Sequence, residues 1–348
     1  MKLSKKVRSF VALVAVVAML PLFSQFRSVS PSVSNSPVPN SKFSGVQIGA
    51  ITYSWRSMPG GVENIIKYCN ETGINSIELM SNDVENYLGA PENPMMKFMR
   101  PPTPPAPAAP GAAPAAPAPM QRPQLTPEQQ AEVTKYNEEM KKWRLALPMS
   151  KFADVKKLFD KAGIEIHIVK FSPSRWSDEE IDYAFKAAKA LGAKGVSEEI
   201  SEDACKKLGP IAEKHGMYAI FHNHMQFATP GFSYDNFLSI SPAIMFNFDA
   251  GHYFGSTGKD PIEIIEKYHS RIFSIHIKDK TGPNTQPTAN TNQVWGQGEM
   301  PLAKVLNYIK QKKYPIYCDI ELEYEVKPWS NAVKEVKTCV EYARQILM

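Results

Sequence analysis

Four strand-like segments in the second half of the chain, 196–199, 245–249, 273–276 and 316–321, each end on a residue that binds divalent metals: Glu199, Asp249, His276 and Glu321. Three carboxylates and one imidazole make an oxygen-rich site with a nitrogen donor and no thiolate. That set suits Mn²⁺ first, with Co²⁺, Mg²⁺ or Zn²⁺ as alternatives. Ligands delivered from successive strand ends, with helical stretches between, are what a (β/α)₈ barrel gathers at its C-terminal face.

Strand parity decides which side chains point inward, because successive residues alternate faces. Phe273, Ile275 and Ile277 share one face and belong against helices, which sends Ser274, His276 and Lys278 into the barrel. Phe246 and Phe248 do the same for Asn247 and Asp249. Val196 and Ile200 share parity with Glu198, so Glu199 is the inward carboxylate. In the last segment Cys318, Ile320 and Leu322 leave Tyr317, Asp319, Glu321 and Glu323 on the other face, with Glu321 preferred and Glu323 the fallback. Any one of these is matched by an ordinary strand-end carboxylate. Four strands with concordant parity are not.

Further polar residues share the inward face. His222 and His224 close the fifth strand as substrate ligands or proton carriers. Lys170 and Lys278 end the third and seventh strands, where they would polarise a carbonyl or pair with Glu78. Glu78, inward on the second strand, is a substrate acceptor or the partner of Lys170. Trp295 offers a sugar-stacking face or plain packing. His167 reads as structural, and His215 and His269 as helix-terminal residues.

The elements that must position these groups are eight strand candidates: 46–53, 74–80, 164–170, 195–200, 217–222, 244–249, 272–278 and 316–321. Helical stretches such as 178–191, 202–215 and 260–269 separate them, so the chain reads as βα units closing a parallel barrel over residues 45–348. One interval is anomalous. Residues 91–125 insert a tract of mostly Pro and Ala that cannot pack a core and is expected to be disordered. Helical character resumes at Thr126-Pro127-Glu128, a cap with Pro at the first helical position.

The formal charge of +5 on 348 residues is uneven. Lys2, Lys5, Lys6, Arg8 and Arg27 supply all of it within residues 1–27, which contain no acid. The remaining 35 basic residues balance 35 acidic ones, and a neutral body argues against a nucleic-acid partner. The basic start and the apolar run 10–23 read as an export signal or an N-terminal anchor, the one part of the chain expected to touch a membrane. Residues 28–44, rich in Ser and Pro, read as a linker. The expected location is periplasmic or secreted. Four cysteines without paired spacing give no disulfide framework, and self-association is left open.

Asp249-Ala250-Gly251-His252, followed one strand later by His276-Ile277-Lys278-Asp279, carries a resemblance. With Ile77-Glu78-Leu79-Met80, Phe221-His222-Asn223-His224, Trp295-Gly296-Gln297-Gly298-Glu299 and Ile320-Glu321-Leu322-Glu323, the chain from about Val46 onward resembles the sugar phosphate isomerase/epimerase, or xylose-isomerase-like, TIM barrels. The resemblance implies a metal held by Glu199, Asp249, His276 and Glu321, the set parity selects independently. It puts His252 where the family's substrate-contacting histidine lies. The chemistry expected is metal-assisted enolisation of a keto- or aldo-sugar, with Glu199 and Glu321 as opposed acid–base groups, giving an isomer or epimer. A lyase acting on keto-glycosides shares the first half, with His224 or His252 as the acid. A DNA-cleaving branch of the same architecture is disfavoured by the neutral body. A non-catalytic sugar-binding barrel is disfavoured by the intact ligand set.

Overall fold

A computed structural model of the chain describes residues 38–98 and 125–348. The expectations for the export segment, most of the linker and the Pro/Ala tract therefore lie outside the described residues. Eight parallel strands close on themselves: β1 Val46–Ile51, β2 Ser76–Met80, β3 Glu165–Lys170, β4 Gly195–Glu199, β5 Tyr218–His222, β6 Ile244–Asp249, β7 Ile272–Ile277 and β8 Tyr317–Ile320. β8 pairs in parallel with both β7 and β1, and β1 pairs with β2, which completes the ring. Closure leaves no barrel edge exposed, and each strand buries apolar side chains against the helical layer.

The helices follow from local signals. Helix Glu202–His215 ends in Lys214 and His215 with Gly216 in the left-handed conformation, the expected cationic last turn and glycine stop. His215 stacks on Phe185, and His269 stacks on Tyr314, so neither histidine reaches the barrel mouth. Thr126 caps helix Pro127–Ala146 in a capping box with Gln129. That helix buries only Met140 and packs Trp143 partly against the core, so its small apolar face alone does not hold it. Arg144 does: its guanidinium pairs with Glu85 and Glu180 and lies 3.5 Å from the Trp176 ring centre.

Regular structure is present ahead of the expected boundary at residue 45. Lys42–Phe43 pairs antiparallel with the start of β1, and buried Ser41 donates its hydroxyl to Ile48 O at 2.6 Å. A linker reading based on Ser and Pro composition misses this because a two-residue strand has no period. No helix among the described residues is long and apolar enough to cross a membrane.

Candidate active site

At the C-terminal ends of β5 to β8, ligand atoms of His222, Asp249, His276 and Glu321 lie within 4.8 Å of one another, and all four residues are buried. The ladders explain the convergence. Asp249 of β6 is in register with His276 of β7, and His276 with Asp319 of β8, so Glu321 rises one step above Asp319 on the same face. Three of the four ligands expected from parity are therefore together.

His222 also stands in this cluster, and Glu199, expected as the fourth ligand, forms an adjoining group of possible ligands with His222 and His224. Glu199 sits beside the cluster, with Oε2 3.1 Å from His222 Nδ1 and 2.9 Å from His224 Nε2. Lys170 on β3 donates to its other oxygen at 2.6 Å. Parity made both Glu199 and His222 inward, but Lys170 draws the glutamate toward β3. His222 remains, with Nε2 3.3 Å from Asp249 Oδ2. Glu198 faces away from the site, accepting from the Ser174 and Glu199 amides at 2.8 Å each.

The Asp249-Ala250-Gly251-His252 motif turns the end of β6 into a helix. Asp249 caps helix Ala250–Thr257 by accepting from the His252 amide at 2.7 Å. Its own amide is fixed by Asn223 Oδ1 at 3.0 Å, and Tyr234 OH donates to that same oxygen at 2.5 Å. Gly251 is required by contact: a Cβ there would run into Lys278 Cγ and stand 2.9 Å from the Lys278 carbonyl oxygen. Close approach of the helix to β7 brings His252 over the cluster. Its Nε2 is 3.8 Å from Asp249 Oδ2 and 3.6 Å from Glu323 Oε2, and neither ring nitrogen has a hydrogen-bond partner. Burial pushes the imidazole down to about 3 against the pull of Asp249, and Lys278 and Lys280 add to the fall.

Lys278 occupies the centre of a carboxylate group, with Nζ 2.7 Å from Asp249, 2.5 Å from Glu321 and 2.7 Å from Glu323. Burial opposes its charge, but those three carboxylates outweigh it and hold the ammonium above the ordinary lysine range. Lys278 is therefore a neutralising partner of the acidic wall and not of Glu78. Lys170 likewise pairs with Glu199 and not with Glu78.

Glu78 lies deeper than parity alone suggested. It is fully buried, accepts from Ser197 Oγ at 2.5 Å and Asn247 Nδ2 at 2.8 Å, and stands 2.8 Å from His276 Nε2. Depth in the barrel is set by stagger between strands, which the alternation does not report. Glu78 thus orients His276 from below and is not a substrate-facing group. Burial, the largest single influence, would raise its carboxyl, but His276 together with Lys170 and Ser197 outweighs it and holds it at about 2. His276 is raised in turn: burial alone would lower it, and Glu321 and Glu78, one on each ring nitrogen, outweigh that.

Trp295 is a packing residue. It is buried edge-on against Tyr342, with ring centres 5.9 Å apart, in the layer beneath the C-terminal helix. Its neighbours Gly296 and Gly298 have the local role, donating their amides to Asp279 Oδ2 at 2.8 and 2.9 Å. His167 is structural as expected, stacked on Tyr317 and bonded to Ser76 and Asp319.

Two imidazoles and two carboxylates, buried and free of sulfur, fit a borderline divalent ion. Charge agrees. Asp249, Glu321, Glu323, Glu199 and Glu78 set five carboxylates against the ammoniums of Lys170, Lys278 and nearby Lys280, an excess of two that a dication offsets. The four cysteines are buried and free, apart from this cluster.

Comparison with known proteins matches residues 132–345 to the family model described as xylose isomerase-like TIM barrel. An inosose dehydratase from Clostridium beijerinckii is 36% identical over 80 residues, which are 22% of this chain and 26% of that protein. The chain spans about a quarter to a half of the length of the curated relatives it matches. A crystal structure of the IOLI protein with a bound zinc atom superposes with a TM-score of 0.51 at 14% identity, covering 87% of this chain and 98% of that one. A D-allulose 3-epimerase from Methylomonas sp. gives a TM-score of 0.50 at 13% identity, covering 87% and 98%. At such identities the two structures share the fold alone. With a closed eight-stranded barrel and a family match over more than half of its length, the chain belongs to the xylose isomerase-like TIM barrels.

Proposed function

We propose that the protein is a divalent-metal-dependent sugar isomerase or epimerase that enolises a keto- or aldo-sugar. The observation that carries this reading is His252: a partly exposed imidazole whose two ring nitrogens are covered and unpartnered, beside the cluster of His222, Asp249, His276 and Glu321. These four residues would hold the ion, Mn²⁺ in our reading. When bound, it supplies Lewis-acid polarisation of the sugar carbonyl.

The chain's own groups supply the proton chemistry. His252 carries the transfer by position: its unpartnered Nε2 faces the cluster, where it can exchange a proton with the carbon beside the carbonyl. The imidazolium that results faces Asp249 and Glu323, which stabilise it. Glu199, in contact with His222 and His224, would take up a proton from solvent and deliver it to the other face of the enediolate, yielding an epimer, while His252 releases its proton to solvent. Lys278 pairs with Glu321 and Glu323, and Glu78 and Asn223 hold His276 and Asp249 in place.

A second reading is elimination. His224 and His252 have ring centres 5.0 Å apart on one side of the site, so one imidazole can take the proton and the other can protonate a departing β-oxygen. The dehydratase names of the curated relatives support the same outcome. NMR of keto-sugars and keto-glycosides incubated with Mn²⁺-loaded protein separates the two. An isomer favours the first reading, release of water or an aglycone the second, and inertness toward every keto-sugar refutes both. Residues 1–27 are proposed to direct export, which cell fractionation of the full chain tests.

A further inference from the structure

The strand pair after β7 buries a lysine that the chemistry above leaves unused. Lys280 is 3% exposed, on the two-residue strand Asp279–Lys280 that pairs with Asn292–Gln293. Its Nζ donates to Asn292 Oδ1 at 3.0 Å and makes no ion pair among the described residues. Lys278, two residues earlier, has three carboxylates. Asp249, Glu321 and Glu323 act on Lys280 only from beyond contact distance, and a buried ammonium with no carboxylate in contact is unfavourable unless a ligand completes it. Burial, reinforced by Lys278, holds Lys280 below the ordinary lysine range.

The surroundings fix this side chain in place and leave its neighbours unsatisfied. Gly255 packs over it: a Cβ there would stand 2.7 Å from Lys280 Cε and run into Asn290 Oδ1. Asn290 Oδ1 is buried without a partner, while its amide contacts Met225 Sδ at 3.2 Å, next to His224. His252, one turn before Gly255 on the same helix, has both nitrogens unpartnered. A cation, an amide oxygen and two imidazoles therefore collect on one side of the mouth.

We propose that Lys280 is a substrate-binding residue that reads a carboxylate substituent of the sugar. The inference rests on the sugar-enzyme reading above and narrows its substrate class to sugar acids. One ammonium matches one carboxylate, and Asn290 Oδ1 is an acceptor suited to an adjacent sugar hydroxyl. Among the described residues, no second cation stands unpaired beside Lys280 to balance a phosphate dianion.

The test is calorimetric binding of D-glucuronate and D-glucose to the Mn²⁺-loaded protein. Wild type should prefer glucuronate by about tenfold or more, the scale of one charge-assisted hydrogen bond. Lys280→Met should erase that preference, Lys280→Gln provides a second neutral variant should the first fail to fold, and Lys280→Arg should keep a preference for the acid. Equal binding of the two sugars by wild type overturns the proposal. So does an undiminished preference in the neutral variants, which would assign the carboxylate to the metal. Deuterium exchange at carbon, read on the same samples, keeps the two ideas apart. Exchange without charge preference removes Lys280 and leaves the enolase-type chemistry, and charge preference without exchange does the reverse.

Discussion

Replacing Glu78 by Gln tests whether the barrel interior holds a charged pair beneath the site. The fully buried carboxylate stands 2.8 Å from His276 Nε2 and is held at about 2. An unfolded glutamate titrates near about 4.3, so at neutral pH the depressed carboxyl contributes roughly 3 kcal/mol to folding. The sign follows from the direction. A lowered carboxyl stabilises the fold above the unfolded value and loses that contribution as pH falls toward the folded one. About 2 kcal/mol of the contribution should be gone by pH 3. Urea unfolding of metal-stripped wild type and Glu78→Gln, at pH 7 and pH 3, reads the effect as the gap between the two proteins. The gap should be roughly 3 kcal/mol at pH 7 and narrow by about 2 at pH 3. A gap that stays constant with pH would refute the charged pair, because a purely steric effect of Gln has no proton linkage.

Three further outcomes follow from the same contacts. His222→Ala, Asp249→Asn, His276→Ala and Glu321→Gln should each lose bound metal by elemental analysis, while Glu199→Gln and the outward Glu198→Gln retain it; metal loss in Glu199→Gln alone would restore the ligand set read from parity. Gly251→Ala should destabilise by about 1–3 kcal/mol, since the Lys278 carbonyl oxygen cannot move aside as a flexible side chain would; an unchanged melting temperature would contradict the close approach. Arg144→Met should cost about 3 kcal/mol by leaving Glu85 and Glu180 buried without their cation, and limited proteolysis should then cut helix Pro127–Ala146 first; unchanged protection would show that something else docks the helix.

Alternation within strands made the fold and much of the site legible. Asp249, His276 and Glu321 share their faces with Asn247, Ser274 and Asp319, and apolar residues fill the positions between, so the inward set could be read directly. What alternation cannot report is depth and lateral competition. Glu78 is inward but one layer low, because stagger between β2 and its neighbours sets its height. Glu199 and His222 are both inward, and alternation does not report that Lys170 on β3 holds one oxygen of Glu199 while the other faces His222 and His224. Trp295 and Lys280 lie in the segment between β7 and helix Leu302–Lys312, where no period marks which side chains face the mouth. Glu85 and Arg144 belong to a docking contact between segments 59 residues apart, which neither segment signals by itself.

The most direct test of the central claim is solvent exchange at carbon. Metal-loaded protein in D₂O, given a keto-sugar on which it turns over, should place deuterium on the carbon beside the carbonyl, observed as loss of that proton's NMR signal. Metal-loaded His252→Asn should exchange roughly 10²-fold more slowly or worse, the scale of a general acid–base residue, with its metal content unchanged. Turnover without deuterium incorporation would contradict enolisation, and full-rate exchange in a metal-replete His252→Asn would remove His252 as the proton carrier.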